Sequence, residues 1–262
     1  MKALCQRSAS SCGACCGLYN LADHSEAEVR RRLDARTDAL AGVPRTADAV
    51  RAAAAALRQD GPVPLFPSVR ICPLLGWLDE ARTRVGCLAH PAATGGPDLR
   101  DCGAYDLLTC EAFLCPSHAW LGEEEAEIVD VACADAHLYG LVVTDVPFVR
   151  AALEAVAGLA GARVERRHLD VDGFRHALRR VFALKQELEP GSEGLFGAFT
   201  PDRHGEPVPR SIDYPSMGRA PSPHDTLLTC IGADPRSGND LDRLEVEVRC
   251  RLDGCARALP GA

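Results

Sequence analysis

The sequence predicts a mainly α protein in which a loop-rich, cysteine-bearing metal domain packs against a helical segment. Three observations lead there. Apolar residues recur at helical spacing over several stretches. Residues 61–103 are rich in Pro and Gly and carry no period. Nine of the thirteen cysteines (5, 12, 15, 16, 72, 87, 102, 110 and 115) fall in the first 115 residues, whereas core cysteines would be spread more evenly. The chain divides accordingly into a cysteine region (1–121), a helical segment (122–189), and a Pro/Gly-rich stretch with a C-terminal element (190–262) packed on the same domain.

The first helix starts at Ser25, which with Glu28 forms a capping box, and Val29, Leu33 and Leu40 space it to about residue 40. Thr46 caps a second, whose alanine run Ala52 to Ala56 ends near Asp60-Gly61-Pro62. A loop as long as 61–103 is uncommon in a compact domain unless something else organises it, and metal binding can do so. A short helix is expected over Asp106 to Phe113. Another is expected over Glu123 to Leu138, its three leading glutamates favourable to the helix dipole. Thr144 or Asp145 starts the next, with Pro147 in its first turn. Asp172 caps a helix carrying Phe174, Leu178, Val181 and Leu188, ending before Pro190-Gly191, and Ala162 to Glu165 forms a short strand between them. Residues 190–223, with seven prolines and five glycines, are extended. The final segment alternates as a strand would, yet Leu241, Leu244, Val248, Cys255 and Leu259 also fit a helix, which its length favours.

Composition narrows the function. A net charge of −8 argues against a general nucleic-acid binder. No apolar run approaches the length of a membrane span, and the N-terminus turns polar at Gln6-Arg7-Ser8 without a signal-peptide core. The expectation is a cytoplasmic protein with neither membrane nor nucleic-acid partner. In that reducing compartment clustered cysteines are metal ligands or catalysts rather than disulfides.

Cys12-Gly13-Ala14-Cys15-Cys16-Gly17 is a tight knuckle: glycines let the backbone turn so that thiolates converge and amide N–H groups point at sulfur. Cys12 and Cys15 have the spacing of a zinc knuckle. The adjacent pair Cys15-Cys16 suits a cluster of several irons, or two neighbouring sites. Further along come Cys72-Pro73, Gly86-Cys87-Leu88-Ala89-His90 and Cys110 to Cys115-Pro116-Ser117-His118. Proline directly after a cysteine is a feature of ferredoxin-type cluster runs. If the helix ends near Phe113, Cys115 swings back beside Cys110. His90 and His118 fit a loop cap or an outer hydrogen bond better than ligation. Cys133, Cys230, Cys250 and Cys255 fit the apolar pattern around them and are read as core.

These motifs, with Asp98-Leu99-Arg100-Asp101, resemble the bacterial YkgJ-type cysteine-cluster family, described by a CxxCxxCC signature and a zinc- or iron-chelating domain. The resemblance covers roughly residues 5–121. It implies metal binding by Cys12, Cys15, Cys16, Cys72, Cys87, Cys110 and Cys115. The family's first cysteine would fall at Ala9, and Cys5 replaces it as the eighth ligand through a longer loop. Cys102 has no place in the pattern.

The leading expectation is therefore an iron–sulfur protein, with a 4Fe-4S cluster as cofactor and a role as an oxidoreductase or modification enzyme. The alternative is a Zn2+-stabilised interaction module with closed four-cysteine sites. Its partner would be a protein or small molecule. Thiol catalysis would need an activated free cysteine, for which Cys102 is the candidate without visible activation. Dinucleotide-binding, P-loop, zinc-protease and serine-hydrolase motifs are absent. His204, Asp213, Tyr214, His224 and Asp225 could line a pocket, although scattered polar loop residues usually have no such role.

Overall fold

Residues 3–7, 10–59, 61–133, 135–187 and 197–261 are described by the computed structural model. Helices α1 (Glu26–Ala41) and α2 (Ala47–Gln59) open the fold. Ser25 Oγ accepts from the Glu28 N–H at 3.3 Å, but the box is not reciprocal. Glu28 turns instead to Arg31 and Arg32, and the Ser25 N–H is taken by Asp23.

The stretch expected as loop holds a small antiparallel hairpin, β1 (Leu75–Trp77) and β2 (Val85–Cys87), with Leu75 opposite Cys87 and Trp77 opposite Val85. Three residues per strand are too few for a period to show. Asp79 closes the turn by accepting from the Thr83 and Arg84 N–H groups. Helix α1 packs on β1, where Thr37 Oγ1 accepts from the Trp77 N–H at 2.9 Å. Short helices α3 (Pro91–Thr94), α4 (Leu107–Ala112) and α5 (Ser117–Trp120) follow.

The single helix expected over 123–138 is two, α6 (Glu123–Ala132) and α7 (Ala136–Val143). Asp135 interrupts the run by capping α7, accepting from the Leu138 N–H at 2.7 Å; a capping side chain outweighs continued apolar spacing. Helix α8 (Val146–Ala160) begins at Asp145, as expected. Residues 162–165 form no strand: Val164 is buried, and a 3-10 turn over Arg166–Asp170 follows. Helix α9 (Asp172–Phe182) is capped at Val171, so Asp172 is its first residue, and α10 (Leu184–Glu187) is separate. Leu188 lies outside the described residues. A second hairpin, β3 (Phe199–Pro201) with β4 (Pro207–Pro209), interrupts the extended stretch. Helices α11 (Asp225–Cys230) and α12 (Gly238–Ala258) end the fold.

One apolar core takes in all three stretches. Phe148, Phe174, Phe182, Leu228, Val248 and Leu252 pack between α8, α9, α11 and α12, and the same core continues to Leu4, Tyr19, Leu33 and Leu75. Tyr19 and Tyr139 fasten the cysteine region to α7 through hydroxyl donation to the Ala136 and Leu4 carbonyls. A satellite core joins Leu40, Val50 and Ala54 to Cys72, Leu74, Leu99 and Cys102. Among the described residues, no helix is long and apolar enough to cross a membrane.

Candidate metal centre

The loop from Cys5 to Cys12 closes on itself. The Cys12 N–H donates to the Cys5 carbonyl at 3.1 Å, and Gln6 bridges to Ser11. This return brings the Cys5 backbone beside that of Cys12. Cys15 and Cys16 sit on a 3-10 turn, Ala14–Cys16, ended by Gly17 at φ 76°. Gly17 must be glycine twice over, for its left-handed backbone and because a Cβ would run into the Arg70 carbonyl.

Cys115 lies close enough to act on Cys5, Cys12 and Cys15, and Cys16 lies toward Cys72, Cys87 and Cys110 while also neighbouring Cys12 and Cys15. After α4 the chain turns at Cys115, whose carbonyl accepts from the His118 N–H and whose thiol neighbours Cys15. Among the described residues, no three His, Cys, Asp or Glu side chains converge closely enough to hold a single ion.

Three of the eight sulfurs face the amide N–H two residues on. Ala14 donates to Cys12 at 3.3 Å, Ala89 to Cys87, and Ser117 to Cys115, which also receives the Ser117 hydroxyl. Oriented amide dipoles stabilise negative sulfur and leave it aimed at whatever the loop encloses. Burial pushes the Cys12 and Cys87 thiols up to about 12, while the Cys15 bond, with the Ser117 donors, holds Cys115 below the usual thiol range.

The chain around Cys16, Cys72, Cys87 and Cys110 is braced from several sides. The Cys72 N–H donates to the Cys16 carbonyl at 2.9 Å, and the Leu88 N–H to the Leu74 carbonyl at 2.8 Å, so the first hairpin sets Cys87 near Cys72. Arg100, paired with Asp98 at 2.5 Å, donates to the Cys110 carbonyl at 3.2 Å. This gives the Asp98-Leu99-Arg100-Asp101 motif a structural task. A Cβ on Gly103 would lie 2.8 Å from the Cys72 sulfur.

His90 caps α3, its Nδ1 accepting from the Ala92 N–H at 3.0 Å, and His118 lies close enough for its charge to act on Cys115. Cys102 is buried against α2, its thiol donating to the Ala47 carbonyl. Cys133, Cys230 and Cys255 are buried in the main core, but Cys250 is exposed on α12, against expectation. All thirteen cysteines are free of disulfides. Tyr214 and Asp225 line a cleft together, where the Tyr214 hydroxyl donates to Asp225 at 2.6 Å; His204, Asp213 and His224 are not among its lining residues.

Sequence reasoning missed Arg36. It lies on the buried face of α1 with Val29, Leu33 and Leu40, 7% exposed, and its Nη1 has no hydrogen-bond partner. Its place in an otherwise apolar stripe was the available signal. An all-thiol donor set suits Zn2+ or iron–sulfur and not a hard cation such as Mg2+ or Ca2+.

No family model matches the chain, and neither a curated protein nor a solved structure matches it.

Proposed function

We propose that this chain is a metal–thiolate protein with two adjacent centres, each held by four cysteines: Cys5, Cys12, Cys15 and Cys115 at one, and Cys16, Cys72, Cys87 and Cys110 at the other. What supports this reading is the backbone bonding that draws Cys12 to Cys5 and Cys72 to Cys16, with the Ala14 N–H already turned toward the Cys12 sulfur. Buried free thiols packed as core would have no reason to gather in this way. The likeness to YkgJ-type proteins points to the same residues.

Iron–sulfur is the occupant we favour. Four sulfurs around one zinc stand about 2.3 Å from it and therefore crowd together. The adjacent pair Cys15-Cys16 and the Cys-Pro pairs Cys72-Pro73 and Cys115-Pro116 suit a cluster of several irons instead. Such a cluster would supply one-electron redox chemistry. The chain's own share is to fix the sulfurs, orient N–H donors toward them and exclude water through the two apolar cores. An oxidoreductase or a modification enzyme would use such a centre. The second reading is a Zn2+-stabilised interaction module, since eight thiolates are enough for two closed four-cysteine sites.

A reducing, cytoplasmic setting suits thirteen unpaired cysteines. The partner would be a protein or small molecule rather than nucleic acid or a membrane, in keeping with the charge of −8. Purification without oxygen, a visible spectrum, and iron, sulfide and zinc analysis test the proposal. A brown protein with broad absorption at about 400 nm that bleaches on reduction supports iron–sulfur. A colourless protein with two zincs replaces it with the second reading, and a metal-free protein rejects both.

A further inference from the structure

Arg36 presents a physical problem that the fold alone leaves open. A buried guanidinium with an unsatisfied N–H is costly, and a well-packed apolar side chain in its place is commonly neutral or stabilising. Leucine or methionine would continue the α1 stripe. The neighbouring turn positions show where Arg36 sits. Leu33 belongs to the core that includes Cys12 and Leu75, and Leu40 to the core that includes Cys72 and Leu74. Arg36 therefore lies at the junction of the two cores, over the segment that follows Cys72. Cys16 packs against both cores, and Cys72 belongs with Leu40 to the second.

We propose that Arg36 is the counter-cation of the second thiolate group, its unpartnered Nη1–H directed at a sulfur of Cys72 or Cys16 when that group holds metal. The inference rests on the two-centre reading above. Four thiolates around Zn2+, or around a 4Fe-4S core with two positive charges, leave a net charge of about −2 in a poorly solvated place. One buried guanidinium halves it. Arginine is suited to the task because it stays charged when buried and its fork keeps several donors in a fixed plane.

The test separates a metal-directed role from a structural one. Arg36→Met and Arg36→Lys are made in the full chain carrying Cys15→Ser, so that the metal bound reports the second group. Zn2+ affinity is measured by competition with a chromophoric chelator, and the melting temperature of the metal-free protein alongside. The expected result is Zn2+ binding about tenfold weaker in Arg36→Met, the scale of losing an outer-shell partner, with no fall in metal-free melting temperature. Arg36→Lys, which restores charge but not the fork, lies between. Unchanged Zn2+ affinity in Arg36→Met, or a metal-free melting temperature lowered as far as that of the loaded protein, overturns the proposal. Should Arg36→Met not fold, Arg36→Lys decides alone: weaker Zn2+ binding with an unchanged metal-free melting temperature supports the role, and unchanged binding rejects it. Failure of the parent protein to take up either Zn2+ or iron would instead reject the two-centre reading itself.

Discussion

The Cys72 N–H donates to the Cys16 carbonyl at 2.9 Å, a single backbone bond that joins the N-terminal knuckle to the segment leading into the first hairpin. It holds Cys16 toward the Cys72 segment, while Cys15 neighbours Cys115. In the two-centre proposal these consecutive thiols belong to different groups.

Cys15→Ser and Cys16→Ser should accordingly lose different metal. Each is expected to keep about half of the wild-type metal and the double variant almost none, since a serine hydroxyl is a poor substitute for a soft thiolate. Metal analysis per chain checks this. Full retention in either single variant would remove that cysteine from the ligand set.

Gly17 and Gly103 give a contrast in mechanism. Gly17→Ala forces a side chain onto a left-handed backbone at φ 76° and against the Arg70 carbonyl, and should destabilise the metal-free protein by about 1–3 kcal/mol. At Gly103 the new methyl would meet the Cys72 sulfur first, at 2.8 Å, ahead of the Leu74 side chain and the Arg100 carbonyl. Gly103→Ala should reduce metal binding at the second group more than it reduces metal-free stability. Denaturant unfolding with and without metal separates the two.

Asp106 caps α4, the helix that carries Cys110, and the Thr109 backbone and side-chain donors hold its carboxyl below the usual carboxylate range. A depressed folded value means that the stabilisation is present above the unfolded carboxylate pKa, near 4, and is lost as pH falls through the lower folded value. Metal-free stability should therefore decline below about pH 4 in part through Asp106. In Asp106→Asn that part of the slope should vanish. An identical pH profile for the two proteins would show that the cap contributes no pH-dependent stability.

Lys185 and Asp145 form a buried ion pair at 2.6 Å, with the ammonium also donating to the Cys230 carbonyl. Lys185→Met leaves Asp145 buried without its partner and should destabilise by about 3–5 kcal/mol. Urea unfolding checks the size. A loss below about 1 kcal/mol would mean that water reaches Asp145 and that the helical core is looser than its burial implies.

Much of this was legible in the sequence, for identifiable reasons. Ser25, Thr46, Asp106 and Asp145 mark helix starts because a short polar side chain before an apolar run has one common use, capping. The C-terminal helix was legible from Leu241, Leu244 and Val248 at helical spacing. The break at Asp135 was hidden because apolar spacing continues across it. The Leu75–Trp77 hairpin was hidden because its register depends on Asp79 and on packing against Thr37, both non-periodic. Of the proposed site, the eight cysteines come from their spacing and the resemblance, whereas the proposed partition needs the fold around α4 and α5. Arg36 was visible only as an anomaly in the α1 stripe, and its meaning needed the neighbours that folding supplies.

The most direct test of the two-centre account is X-ray absorption at the metal edge of the anaerobically purified protein, together with metal per chain. The account predicts a first shell of sulfur alone, about four per metal, at an occupancy corresponding to two centres. For iron–sulfur this includes an iron–iron distance, and for zinc a shell near 2.3 Å. A shell containing nitrogen or oxygen ligands, a single centre per chain, or a protein that takes up neither iron nor zinc would contradict it.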